Sequence, residues 1–319
     1  MAVRRIAAWA SLSTLAGLAA LFGQAHLTPR PKAEPEALKL PTANIRVDSN
    51  LVLVPVSVCD PFNRPVTGLE KEHFKILDDK VEQTITHFAM EDEPLAVGLI
   101  FDISSSMTNK MRRSRAAAAA FFRTSNPDDE FFLVEFNEQP RLVVPLTRSQ
   151  EEIQNQLTFA PSRGRTALLD AIFLALHEIK NSKLQRKALL IISDGGDNSS
   201  RYTEGEVRNR VRESDVLIYA MGIFESAGSR GSPEEQSGPG LLNDLCEQTG
   251  GRHLPVNDLS EMPDIASKIG IELRNRYVIG YTPTDPAKDG RYHRVQVKVI
   301  PPHGLPALRA TWRQGYYAK

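Results

Sequence analysis

The chain has 319 residues, of which 41% are apolar, so it is long enough for one large or two ordinary folded domains. It carries 39 basic and 39 acidic residues and therefore has no net charge. This balance argues against nucleic-acid binding, which usually requires a strongly basic face.

The N-terminal segment, residues 1–25, has the features of an export signal. Arg4 and Arg5 precede an apolar run, and the run ends at Gly23-Gln24-Ala25, which has the small-x-small pattern of a cleavage site. We therefore expect an exported protein. Cleavage would release it to the periplasm or the exterior, whereas an uncleaved segment could stay as a membrane anchor, since about 20 apolar residues span a bilayer.

The rest of the chain divides into four segments. Residues 26–44 are rich in Pro, Ala and charge, which is typical of a flexible linker. Residues 45–92 and 277–319 contain strand-like alternation, but each segment is too short to bury a β core alone. We therefore predict that these two β-rich segments pair into one small β-sandwich, with an α/β domain, residues 93–276, inserted between them.

Strand-like and helix-like patterns alternate through the inserted segment, which predicts a doubly wound, Rossmann-like α/β domain. The predicted strands are 95–102, 129–136, 141–146, 187–193, 216–223 and 252–256. The predicted helices are 108–125, 149–158, 166–181, 204–214, 240–249 and 260–275. Residues 225–240, rich in Gly, Ser and Pro, are predicted to form a long flexible loop.

The two cysteines, Cys59 and Cys246, follow different patterns. Cys59 ends an apolar strand-like run, and Cys246 lies on an apolar helix face with Leu242 and Leu245. We interpret them as two separate buried thiols. A disulfide is the alternative, because exported proteins can form one.

Polar oxygen-bearing side chains stand where three predicted elements begin or end. The run PLAVGLIF is followed by Asp102, Ser104 and Ser106; Thr166 starts a predicted helix; and Asp194 follows a second buried strand. Because the carboxyl ends of parallel strands meet at one edge of a sheet, we expect these five residues to converge. Carboxylate and hydroxyl oxygens suit Mg²⁺, with Mn²⁺ or Ca²⁺ as alternatives, and suit Zn²⁺ poorly.

These residues resemble the metal-ion-dependent adhesion site of von Willebrand factor type A domains. That family's motif is Asp-x-Ser-x-Ser, then a distant Thr, then a distant Asp before Gly; DISSS, Thr166 and SDG match it in order. The resemblance covers about residues 94–276. The flanking segments are similar to those of an exported group of such proteins known mostly from acidobacteria.

The resemblance implies a role for each residue. Ser104, Ser106 and Thr166 would supply hydroxyl oxygens, and Asp102 and Asp194 would hold the metal mostly through water. A carboxylate from a protein partner would complete the coordination. This implies an adhesion or interaction module of the bacterial envelope rather than an enzyme.

Three alternatives stay open at this point. The Asp and Ser residues could simply cap the helices that follow, since both are preferred cap residues. The strand-end Asp is similar to that of Mg²⁺-dependent haloacid-dehalogenase-type phosphatases, but Ser104 stands where their general acid would be. A structural envelope module without a partner-bridging metal is the third.

Overall fold

The computed structural model of the protein describes residues 51–91, 93–224, 233–284 and 290–318. The predicted export signal, residues 1–25, and the predicted linker, residues 26–44, lie outside these ranges. Both therefore stay predictions.

The described residues form fourteen strands and six α-helices, numbered in chain order. The strands are β1 Val52–Cys59, β2 Phe74–Asp78, β3 Val81–Gln83, β4 Ile85–Glu91, β5 Leu95–Asp102, β6 Glu130–Phe136, β7 Pro140–Thr147, β8 Arg186–Ser193, β9 Leu217–Ile223, β10 His253–Val256, β11 Arg276–Tyr281, β12 Tyr292–Val299, β13 Arg309–Trp312 and β14 Gly315–Tyr317. The helices are α1 Met111–Phe122, α2 Gln150–Phe159, α3 Leu168–Glu178, α4 Glu204–Glu213, α5 Pro233–Thr249 and α6 Met262–Arg274. No helix in this described part of the chain has both the length and the apolar character needed to cross a membrane.

A six-stranded sheet in the order β10-β9-β8-β5-β6-β7 forms the centre of the α/β domain. All neighbouring strands are parallel except β7, which pairs antiparallel with β6. Every residue of β5 is buried, because helices cover both faces of the sheet. Helices α1, α2 and α6 pack on one face, and α3, α4 and α5 pack on the other. The predicted doubly wound α/β class is therefore confirmed.

One sequence-based prediction in this domain is wrong. Residues 233–240, predicted to be loop, form the first turns of α5, while residues 225–232 lie outside the described chain. Gly238 of this helix packs against the backbone of Gly195, and a Cβ at Gly238 would lie 2.4 Å from the Gly195 carbonyl oxygen. The glycine content that indicated a loop instead allows close packing of a helix against a neighbouring loop.

Two antiparallel four-stranded sheets flank the α/β domain, in the orders β13-β1-β11-β4 and β14-β12-β2-β3. Each sheet contains strands from both sides of the domain, since β11 pairs with β1 and β4 and β12 pairs with β2. Their apolar core includes Phe74, Phe88 and Tyr277. Asp78 joins the two sheets, because its Oδ2 accepts hydrogen bonds from Tyr281 at 2.9 Å and Tyr316 at 2.8 Å.

The two cysteines are both free and buried. The interpretation as two separate thiols is thus confirmed. Burial and, to a smaller extent, the nearby Glu272 carboxylate together raise the pKa of Cys59 to about 12. Desolvation also raises the pKa of Cys246. Because a reactive cysteine needs a lowered pKa, neither thiol has the environment of one.

Gly98, in the middle of β5, allows close packing in the central sheet. A Cβ there would lie 2.2 Å from Cζ of Phe132 and 2.7 Å from Cδ2 of Leu189. We expect Gly98→Ala to lower the free energy of unfolding by about 1–3 kcal/mol, measured by urea denaturation, because a filled core cannot absorb an extra methyl group without strain. Gly205→Ala, in α4 with nothing within 4 Å, is the control and should be neutral or stabilising. Equal effects of the two substitutions would contradict this prediction.

Candidate metal centre

Asp102 is the last residue of β5 and is completely buried. Its Oδ1 accepts a hydrogen bond from the backbone N–H of Ser104 at 2.8 Å, and its Oδ2 accepts one from Oγ of Ser193 at 2.6 Å. Ser193 also accepts a hydrogen bond from the Gly195 N–H at 3.0 Å. The carboxylate is therefore held in one orientation at the carboxyl end of the strand. Ser193, which sequence reasoning did not single out, links it to the loop that carries Asp194.

Ser104 and Ser106 follow in a tight turn. Their hydroxyl oxygens are 3.0 Å apart, with Ser104 buried and Ser106 exposed. The residue between them, Ser105, is exposed, and its backbone N–H donates to the Gly164 carbonyl at 3.0 Å. The alternation of the turn thus places the two predicted ligands on one side, next to Asp102.

Backbone hydrogen bonds tie three loops together at this edge of the sheet. The Arg163 N–H donates to the Ile103 carbonyl at 2.8 Å, which joins the loop before α3 to the turn after β5. The Thr166 carbonyl accepts from the N–H groups of Asn198 at 2.9 Å and Ser199 at 3.1 Å, which joins the same loop to the one after β8. The loops that carry Asp102, Thr166 and Asp194 are therefore neighbours.

Asp197 and Asn198 organise the start of α3. Oδ1 of Asn198 accepts from the Thr166 N–H at 3.0 Å, and Oδ2 of Asp197 accepts from the Leu169 N–H at 2.9 Å. Asn198 therefore holds the backbone of the predicted ligand Thr166 from a distant loop, and Asp197 holds the first turn of α3. A single sequence carries no signal for such long-range contacts.

The helix-cap alternative does not describe Ser104 or Thr166. The N-cap position of α3 is Ala167, and no side chain of that residue caps the helix. Ser104 occupies the N-cap position of the short 3₁₀ turn Ser105–Met107 but makes no capping hydrogen bond with its side chain. Thr166 and Ser104 therefore need another explanation for their positions.

Two buried carboxylates lie close together in this site. Burial and, to a smaller extent, the negative charge of Asp194 together raise the pKa of Asp102 to about 7. Asp194 itself is only 6% exposed. Two neighbouring carboxylates in a poorly solvated site favour a bound cation, because a positive charge relieves both the desolvation and the mutual repulsion.

Lys110 already supplies one positive charge. Its Nζ lies 3.2 Å from Oδ2 of Asp194, and the two side chains are 7% and 8% exposed. A buried lysine is rare unless it is paired. Sequence reasoning did not single out Lys110, because its burial beside Asp194 depends on contacts between separate segments.

The donor set suits a hard divalent cation. Carboxylates and neutral hydroxyls are its preferred ligands, and the site combines both at one sheet edge. No cysteine or histidine is among the five predicted ligands, so the set is unsuited to Zn²⁺.

The segment that carries the predicted ligands is similar to a known family. Residues 97–196 match the family model of the von Willebrand factor type A domain. This segment of the chain is a von Willebrand factor type A (VWA) domain. The match contains all five predicted ligands, from Asp102 to Asp194. The further resemblance to an acidobacterial group stays a prediction.

Two curated relatives match about the same share of the chain. An uncharacterized protein of Borreliella burgdorferi is 27% identical over 210 residues, covering 56% of this chain and 61% of the relative. A UPF0353 protein of Mycolicibacterium paratuberculosis is 24% identical over 205 residues, covering 57% of this chain and 62% of the relative. The matches thus span about three fifths of each relative's length.

Solved structures share the fold. The von Willebrand factor type A protein from Catenulispora acidiphila has a TM-score of 0.51 at 14% identity, with 84% of this chain and 72% of that chain covered. The BatB protein from Bacteroides thetaiotaomicron has a TM-score of 0.44 at 16% identity, covering 56% of this chain and 98% of that chain.

Proposed function

We propose that this protein is an exported, metal-dependent interaction module whose VWA domain binds an acidic side chain of a protein partner. The observation that carries the proposal is the convergence of two buried carboxylates and the Ser104–Ser106 hydroxyl pair at the carboxyl edge of the central sheet. Export follows from the signal-like residues 1–25 and would place the module in the periplasm, outside the cell or on the membrane.

In this proposal the ligands are Asp102, Ser104, Ser106, Thr166 and Asp194. The ion is Mg²⁺, with Mn²⁺ or Ca²⁺ as substitutes, and when bound it supplies an electrophilic centre for a carboxylate. The neutral hydroxyls of Ser104, Ser106 and Thr166 leave the positive charge incompletely neutralised, which favours an incoming Glu or Asp. Ser193 and the Ser104 N–H hold the Asp102 carboxylate in place, so this ligand needs little reorganisation when the metal ion binds.

Binding is favoured over hydrolysis by what stands next to Asp102. A phosphatase of the haloacid-dehalogenase type would need a carboxylic acid at position 104 to protonate the leaving group. This chain has Ser104 there, with its hydroxyl 3.0 Å from that of Ser106. The site can therefore position an anion but has no general acid at that position.

Ser104→Asp separates metal binding from partner binding. We expect it to tighten Mn²⁺ binding by about tenfold and to weaken capture of acidic peptides, because a third carboxylate neutralises the ion. The first effect is measured by calorimetry, and the second on an array of Glu-containing peptides in Mg²⁺ or in chelator. Matched peptides with Gln in place of Glu are the control.

The proposal expects peptide binding by the wild-type protein that disappears in chelator and with the Gln peptides. Peptide binding that persists in chelator would contradict it. Metal binding with no acidic peptide bound in any condition would instead favour a structural envelope module.

A further inference from the structure

A cavity lies at the edge of the central sheet opposite to the one that carries Asp102. It has a volume of about 360 Å³ and opens between the amino-terminal ends of β8 and β9 and the β-sandwich strands β1 and β11. Leu53, Pro55 and Val278 form its apolar wall on the sandwich side, and Val216 and Leu217 lie across from them. The cavity is within the size range of small-molecule sites in proteins, about 300–1,000 Å³.

The rest of the lining is strongly cationic. It contains Arg186, Lys187, Arg276 and Arg313, and its one carboxylate, Asp215, forms an ion pair with Arg313. Within the described chain, neither Lys187 nor Arg276 takes part in an ion pair. The cavity therefore combines an apolar wall with an excess of positive charge.

Arg276 is the most unusual of these residues because it is only 2% exposed. Its Nη2 donates to the carbonyls of Pro55 at 2.9 Å and Gly250 at 3.3 Å. Its Nε and Nη1 have no hydrogen-bond partner among the described residues. A buried guanidinium without a counter-charge is costly, and an anion nearby would offset that cost.

We propose that this cavity binds a small amphiphilic anion, a carboxylate carried on an apolar body of about ten carbon atoms. The carboxylate lies near Lys187 and within the field of the buried Arg276 charge, where low dielectric strengthens the attraction. The apolar body covers Leu53, a large apolar side chain that is 52% exposed. This site is independent of the metal centre, since β8 separates the two: Lys187 is near its start and Asp194 follows its end.

The test is calorimetric titration of the full chain with decanoate in chelator, so that the metal centre does not contribute. We expect saturable one-site binding, with decanol and acetate at least about tenfold weaker, because each lacks either the charge or the apolar body. A naphthalene carboxylate in a parallel titration distinguishes an aliphatic from an aromatic ligand body; binding of either supports the site.

Lys187→Gln decides whether the cavity is the binding site. It should weaken decanoate binding by about fivefold or more, since it removes a charged partner while keeping the side-chain length similar. Lys183→Gln, at an exposed lysine outside the cavity lining, is the matched control and should bind as the wild type does. No saturable binding up to about 1 mM decanoate, or binding that Lys187→Gln leaves unchanged, would overturn the proposal.

Discussion

Alanine in place of Asp102 is expected to lower Mn²⁺ affinity by about 100-fold or more while the chain stays folded. Loss of a residue that merely orients a metal ligand costs about 10–100-fold in affinity, so loss of a ligand carboxylate should exceed that range. The central sheet does not depend on this side chain, which stands at the end of β5 rather than within its apolar core. Calorimetry measures the affinity, and circular dichroism follows thermal unfolding.

Folding stability should change little, because two effects oppose each other. The substitution leaves the Ser104 N–H and the Ser193 hydroxyl without their acceptor, which costs about 1–3 kcal/mol for each buried group. It also removes a buried carboxylate whose raised pKa, about 7, shows that its charged form is disfavoured in the folded protein.

A matched control for the lost charge is Asp244→Ala. Asp244 is a partly exposed carboxylate on α5 that forms an ion pair with Arg208, outside the predicted ligand set. The Asp244→Ala substitution should leave the Mn²⁺ affinity unchanged. If Asp102→Ala bound Mn²⁺ as tightly as the wild type, the assignment of Asp102 as a ligand would be wrong, and the metal centre would have to be abandoned.

The second large effect is expected at Lys110, where methionine should tighten Mg²⁺ binding by about 10–100-fold. The Lys110 ammonium holds Asp194 at 3.2 Å, so a metal ion entering the site must share that carboxylate with a positive charge already there. Like unit charges about 4 Å apart repel by about 4 kcal/mol at an effective dielectric of about 20. Even part of this repulsion accounts for a tenfold change in affinity.

Lys110→Met should also destabilise the metal-free protein. Methionine preserves most of the apolar stem, but it leaves the buried Asp194 without its partner, and breaking one side of a buried ion pair costs about 3–5 kcal/mol. We therefore expect the thermal midpoint to fall by several degrees in chelator and to recover in Mg²⁺. Differential scanning calorimetry with and without Mg²⁺ measures both effects.

Arg112→Met provides the control for a general loss of positive charge on α1. Arg112 is exposed on α1, two residues after Lys110, so its removal should change neither the affinity nor the midpoint measurably. Weaker Mg²⁺ binding by Lys110→Met would show that the lysine supports the metal centre rather than competing with the ion.

Much of the α/β domain could be predicted from local patterns. The apolar runs of β5 and β8 indicate buried parallel strands, because strands covered on both faces need no alternation. The ends of these strands then place Asp102 and Asp194 at one sheet edge, since parallel strands share their direction. The order of Asp102, Thr166 and Asp194 along the chain, which resembles the VWA motif, then predicts a metal centre at that edge.

Local patterns were misleading where packing overrides composition. Residues 233–240 are rich in residues that favour turns, yet they are helical, and Gly238 of this helix packs directly against the backbone of Gly195. The roles of Asp197 and Asn198 were also missed, since their hydrogen bonds reach residues 28 and 32 positions away. Such contacts exist only once the loops have been brought together.

The sequence by itself determined the α/β class and the strand ends and predicted the oxygen-rich ligand set, because each depends on residue type and spacing along the chain. Only the tertiary structure decided the electrostatics of the site. Whether Lys110 faces solvent or Asp194, and whether Arg276 is neutralised or left beside a cavity, depends on residues from separate segments. Charge interactions act through space, so a one-dimensional pattern can name the charged groups but cannot state their separations.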